Sequence, residues 1–118
     1  MQSDALTVRD VMQPQPVLVA PECPLRAVMA EMNQRRIGAV VVVRAGDELA
    51  GIFTERDLIR RVADVDPGWR DTPVSDWMTS NPHTILPDLR WEEAVAAMHR
   101  HRVRHLPVLD GRRVIGII

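Results

Sequence analysis

Apolar positions along the chain follow two rhythms in turn. Leu25, Val28, Met29 and Met32 recur at i, i+3, i+4 and i+7, which predicts a helix with one apolar stripe. Arg26, Glu31, Gln34 and Arg35 lie off that stripe. Pro24 suits the first turn of this helix and Gly38 suits its end. Ala39-Val40-Val41-Val42-Val43 then runs without a polar break, the pattern of a strand buried on both faces. Ala45-Gly46-Asp47-Glu48 reads as a turn, Leu49 to Phe53 as the next strand, and Leu58, Ile59 and Val62 as the buried side of a second helix. Ahead of all this, Val8 to Met12 is an amphipathic piece of about one helical turn, stopped by Pro14 and Pro16. Val17-Leu18-Val19 is a short extended run closed by Pro21. Residues 64–73, with Pro67, Gly68 and Pro73, read as a linker.

After the linker the pattern starts again. Val74-Ser75-Asp76-Trp77-Met78 matches Val8-Arg9-Asp10-Val11-Met12 at an offset of 66. The same offset pairs Pro16 with Pro82, Val19 with Ile85, Pro21 with Pro87, Arg36 with Arg102 and Val42 with Val108. It also pairs the first helix stripe with Trp91, Ala94, Val95 and Met98. One residue is lost in the following turn, so Gly51-Ile52 meets Gly116-Ile117 at an offset of 65. Proline, methionine and glycine markers that stay in step over this span define a tandem repeat. The boundaries are 8–63 for the first repeat, 64–73 for the linker and 74–118 for the second repeat. Each repeat reads as strand, helix, strand, strand, helix, an α+β (α/β) unit that cannot bury its own sheet. Two copies packed face to face about a pseudo-two-fold axis can, and ligand sites favour the clefts between such copies. The second copy stops at Ile118, before the counterpart of the last helix, so the native chain is expected to continue.

Composition narrows the function. The chain has 118 residues, 46% of them hydrophobic, which suits a packed core of Val, Ile, Leu, Met and Ala. All fifteen basic residues are arginine, so lysine-based covalent catalysis and a P-loop lysine are excluded. A net charge of −1 gives no basic field for nucleic acid or an anionic membrane. Arg35-Arg36 and the arginines of 100–104 fit helix C-termini, and no interleaved aromatics support base stacking. The lone Cys23 allows no intrachain disulfide, and no signal peptide or membrane-length apolar run is present, so a cytoplasmic location is expected. His99 and His101 stand at i and i+2 on diverging helix faces, with His83 and His105 elsewhere; no metal set is expected from them. Trp69, Trp77 and Trp91 read as packing residues, and Glu92-Glu93 as helix-start carboxylates. No catalytic constellation is present, so an enzyme is not expected.

One stretch carries candidate chemistry. Gly51-Ile52-Phe53-Thr54-Glu55-Arg56-Asp57 reads as a buried strand turning straight into a helix. Thr54 can cap that helix, and Asp57 falls in its first turn, where negative charge is favoured. Thr-x-x-Asp is close to an ordinary capping box, and such a turn also presents free N–H groups to an anion. The stretch alone leaves both readings open.

Taken together, the two copies of a proline-closed strand, amphipathic helix, β-branched strand and Gly-h-h opening, with Thr-x-x-Asp completing the first, resemble a tandem pair of CBS (cystathionine-β-synthase) domains, a Bateman module. The resemblance spans Val8 to Ile118 and is closest to small stand-alone bacterial members. It implies a regulatory module that binds an adenosine-containing ligand such as AMP, ADP, ATP, S-adenosylmethionine or NAD. It assigns Asp57 to the ribose hydroxyls, Thr54 to ribose and phosphate, and Ile52 to the wall of the base. It places His83 and Thr84 near the adenine, and matches Arg104-His105-Leu106-Pro107 to a pattern in which Arg104 and His105 reach phosphate. The mirror-related site, walled by Val17, Leu18, Gly38 and Ala39, lacks a basic residue and its own Thr-x-x-Asp turn, so at most one competent site is expected. The resemblance further implies a homodimer and a listening protein partner. The alternative is a dimerisation scaffold without ligand binding.

Overall fold

The computed structural model describes residues 5–62 and 67–118. The fold is mixed α and β, and the chain divides into two compact units, Val17–Pro82 and a second made of the stretch ending at Pro16 together with His83–Ile118. The units therefore do not coincide with the sequence repeats. Each takes its body from one repeat and a short leading segment from the other.

In the Val17–Pro82 unit, β1 (Leu18–Val19) lies parallel to β2 (Ala39–Arg44), and β2 pairs antiparallel with β3 (Glu48–Thr54). The register sets Val40 opposite Phe53 and Val41 opposite Ile52, so these pairs lie on opposite faces. Val40, Val42, Ala50 and Phe53 pack against Leu25, Val28 and Met32 of α2 (Leu25–Arg35), the stripe predicted from spacing. Ala39 to Val42 are all buried, as a two-faced strand requires. The leading segment of the second repeat completes this unit. Val74 and Met78 enter its core, Val74 N–H donates to Cys23 O, and Ser75 N–H donates to Pro21 O. A two-residue strand, β4 (Thr79–Ser80), then pairs antiparallel with β3, Ile52 opposite Thr79.

The other unit repeats the plan. Its α1 (Val8–Val11) comes from the start of the chain, and Val8 joins Ile85, Ala94, Leu106 and Val108 in the core. Val8 N–H donates to Leu89 O and Arg9 N–H to Pro87 O, the counterparts of the Val74 and Ser75 bonds at the same offset. Helix α4 (Trp91–His101) precedes an antiparallel pair, β5 (Pro107–Asp110) and β6 (Arg113–Ile117). Ile85 makes only an isolated parallel bridge to Val108, so the first strand expected in this repeat is reduced to one residue.

Several boundaries differ from expectation. Pro24 is the cap residue before α2, with extended backbone, rather than a member of its first turn. The helix ends at Arg36, in a left-handed conformation at φ 54°, not at Gly38; Arg102 closes α4 in the same way at φ 56°. A polar side chain thus stands in the position that glycine usually fills. The helix expected at Leu58, Ile59 and Val62 is a short α3 (Glu55–Asp57) that widens into a π-type turn over Leu58–Val62, with Val62 buried and Ile59 exposed. Of the predicted linker, 64–66 lie outside the described residues, as does residue 63 at the end of the first repeat. The remainder is docked: Pro67–Asp71 forms a 3-10 turn, Leu25 N–H donates to Thr72 O, and Arg26 pairs with Asp71.

Candidate functional site

The end of β3 builds the candidate site. Thr54 keeps extended backbone, φ −125° and ψ 167°, while Glu55 turns helical and donates its N–H to Gly38 O. That abrupt change leaves the first helical amides without partners in the helix. Thr54 Oγ1 accepts from Asp57 N–H at 3.2 Å, and the Asp57 carboxylate reaches back, its Oδ2 accepting from Thr54 N–H at 3.0 Å and from Thr54 Oγ1 at 3.1 Å. This is a complete capping box.

A second Thr-x-x-Asp shows what the motif does alone. Thr7 and Asp10, at the start of α1, repeat the reach-back: Thr7 N–H and Thr7 Oγ1 both donate to Asp10 Oδ2, at 2.9 and 3.1 Å. The spelling Thr7-Val8-Arg9-Asp10 is the same Thr-x-x-Asp. Asp10 is exposed, and the hydrogen bonds to its carboxylate among the described residues come from Thr7, at the start of its own helix.

Asp57 differs from Asp10 in two respects. It is buried, the one charged residue among the buried groups described. Its other oxygen, Oδ1, accepts from Thr79 Oγ1 at 3.1 Å and stands 3.5 Å from Arg61 Nε. Arg61, one helical turn on from Asp57, is also anchored by donating from its NH1 to Met78 O at 2.9 Å. A buried carboxylate is tolerable only with such company. Thr79 and Arg61 were not singled out from sequence. The i, i+4 spacing of Asp57 and Arg61 signals that pair; Thr79 arrives from 22 residues away with no local signal.

Ile52, Thr54 and Asp57 lie together in this unit. Ile52 is buried on the face opposite α2, beside Val41. His83, Thr84, Arg104 and His105 all belong to the other unit. His83, Thr84 and Arg104 are exposed and His105 is half-buried, just ahead of buried Leu106 and Pro107. The His83 ring stacks on His101, centroids 3.6 Å apart and planes within 16°. His101, in the last turn of α4, is thereby partly covered. Lost hydration, then the neighbouring His83 and Arg100, hold its pKa below the usual histidine value. Stacked rings direct their in-plane nitrogen lone pairs along parallel planes, a poor arrangement for sharing one ion. Among the described residues no group of three His, Cys, Asp or Glu side chains could hold a metal. Cys23 packs half-buried against the core, and burial raises its thiol pKa against the opposing pull of Arg26. No helix among the described residues is long and apolar enough to cross a membrane.

Comparison with known proteins bears on the repeats and the fold. The family profile described as CBS domain matches the chain twice, over residues 8–64 and 74–118. The CBS domain-containing protein YhcV of Bacillus subtilis is 33% identical over 113 residues, covering 95% of this chain and 79% of that protein. A mitochondrial CBS domain-containing protein of Arabidopsis thaliana, CBSX3, is 36% identical over 91 residues, and the chain spans only 44% of its length. Among solved structures, the CBS-domain containing protein ATU1752 from Agrobacterium tumefaciens superposes with a TM-score of 0.87 at 32% identity, covering 100% of this chain and 90% of that one. The CBS domain pair of protein MJ0100, in complex with 5′-methylthioadenosine and S-adenosyl-L-methionine, has the same fold, with a TM-score of 0.85 at 22% identity over 97% of this chain and 89% of that one.

Proposed function

This chain belongs to the CBS domain family, carrying two of its repeats in tandem, and on that premise we propose that it is a regulatory module sensing an adenosine-containing ligand. The observation that carries the reading is the Asp57 carboxylate, buried at the strand-to-helix turn of the first repeat rather than left in solvent like Asp10. A carboxylate accepts hydrogen bonds from both hydroxyls of a ribose, and a site built to make such bonds rejects analogues that lack them. Support comes from a tandem pair of the same fold that is seen with 5′-methylthioadenosine and S-adenosylmethionine, both of which carry that diol. Ile52 and Thr54 accompany Asp57 in this proposal, and His83, Thr84, Arg104 and His105 contribute recognition of base and phosphate. No residue is assigned to covalent chemistry: the proposed output is a change in the protein itself, passed to a partner or a second copy. That output requires the ligand to bind two arrangements unequally.

A dimerisation scaffold without ligand is the second reading. The observation in its favour is that Asp57 already has protein partners for both oxygens. A thermal-shift panel of AMP, ADP, ATP, S-adenosylmethionine and NAD separates the two. A ligand at a hundred times its Kd adds about 2.7 kcal/mol to stability. No shift with any member of the panel overturns the sensor reading.

A further inference from the structure

The arrangement of donors around Asp57 has a consequence for how any ligand could use it. A carboxylate offers about four lone-pair positions, two on each oxygen. On Oδ2 both are taken by the capping box, through Thr54 N–H and Thr54 Oγ1. On Oδ1 one is taken by the Thr79 hydroxyl at 3.1 Å, and the Arg61 guanidinium stands at 3.5 Å. Thr79 is half-exposed and sits on β4, held to β3 by the Ile52 and Gly51 pairings. Its hydroxyl can reach water if it leaves Asp57. The Thr54 bonds cannot be given up so easily, because the Thr54 amide would lose its acceptor at the helix start.

We propose that Thr79 is a gating residue: its hydroxyl occupies on Asp57 Oδ1 the position that a ligand sugar hydroxyl takes, and binding exchanges one for the other. Arg61 stays in place through Met78 O and keeps a positive charge beside the carboxylate throughout. The exchange also gives the sensor a moving part. Thr79 belongs to the second repeat in sequence yet bonds the Asp57 turn of the first, so its release acts on the leading segment that the second repeat contributes to this unit. This inference rests on the sensor reading above and adds to it a competitor built into the chain.

Linkage gives the test its direction. Thr79→Val removes the competing hydroxyl from the free protein and changes nothing in the complex, where that hydroxyl has already turned away. The variant is therefore less stable without ligand and binds more tightly, by about ten-fold or more for one charge-assisted hydrogen bond. Plain structural damage moves both quantities the unfavourable way. Thr79→Ser restores the hydroxyl and returns both to wild-type values. Thr79→Ala serves in place of the valine variant should that not fold. The experiment is calorimetric titration of wild type, Thr79→Val and Thr79→Ser with each of AMP, ADP, ATP, S-adenosylmethionine and NAD, alongside urea unfolding of each protein free of ligand. Tighter binding by Thr79→Val, or binding by Thr79→Val where wild type shows none, supports the gate. Wild-type binding that is unchanged or weaker in Thr79→Val overturns the gate while the sensor reading stands. No binding by any of the three overturns both.

Discussion

The sulfur of Met78 lies 2.5 Å from the point where a β-carbon on Gly51 would sit, and Met12 stands in the same relation to Gly116. The two contacts are repeat-related and internal to the two units. In each, the leading segment lies flat on a strand because that strand has no side chain there. The carbonyls of Thr79 and Gln13 close the same spaces, at 2.7 and 3.0 Å. Gly51→Ala is therefore expected to destabilise by about 1–3 kcal/mol through overpacking. Gly116→Ala should cost less, because Met12 is less buried than Met78 and can yield. Urea unfolding measures both; a Gly51→Ala variant as stable as wild type would show that the segment does not dock so closely.

The two Thr-x-x-Asp turns separate a cap from a buried carboxylate. Asp57→Ala removes the acceptor for Thr54 N–H, Thr79 Oγ1 and Arg61 together, and is expected to cost about 2–4 kcal/mol. Asp10→Ala removes an exposed cap partner, worth about 0.5–1 kcal/mol. Equal losses in chemical denaturation would contradict the difference in their surroundings.

The His83–His101 stack makes stability depend on pH in a defined direction. The pKa of His101 is lowered by folding, so the unfolded chain binds the proton more readily. This contribution is intact above the ordinary histidine value, about 6.5. It is lost as pH falls from there through the lowered value in the folded protein. Melting temperature should decline over that interval in wild type, and decline less in His101→Gln. A greater decline in His101→Gln would contradict the assignment.

Much of this was legible in the sequence, and the exceptions have physical causes. The offset of 66 located both repeats, and the i, i+3, i+4 stripe located α2, because packing against a sheet demands that spacing. What similarity between repeats cannot reveal is which body a segment docks on. Val8 and Val74 match each other, yet each is buried in the unit formed from the other repeat. Arg36 and Arg102 end their helices in a conformation that propensity assigns to glycine, so Gly38 was the natural but mistaken stop. The Thr54–Asp57 contact was legible because a cap is local. Thr79 escaped because its contact is made by a two-residue strand with no pattern of its own.

Cys23 offers a check on packing around the start of α2. Its thiol pKa is raised chiefly by burial, so little thiolate forms near neutral pH. Alkylation by iodoacetamide at pH 7.5 should be slower than that of a free thiol such as glutathione. Denaturant should bring the rate up to that of the free thiol. A native-state rate equal to that of glutathione would contradict a half-buried thiol.

Whether Asp57 reads a sugar is best answered by titrating wild type and Asp57→Asn with whichever adenosine compound gives the largest thermal shift. Asparagine keeps the shape of the side chain and removes its charge and half of its accepting capacity. Saturable binding to wild type that is lost or at least about ten-fold weaker in a folded Asp57→Asn is the expected result. Equal binding by the two proteins, or none by wild type, would contradict a ligand sensor centred on Asp57.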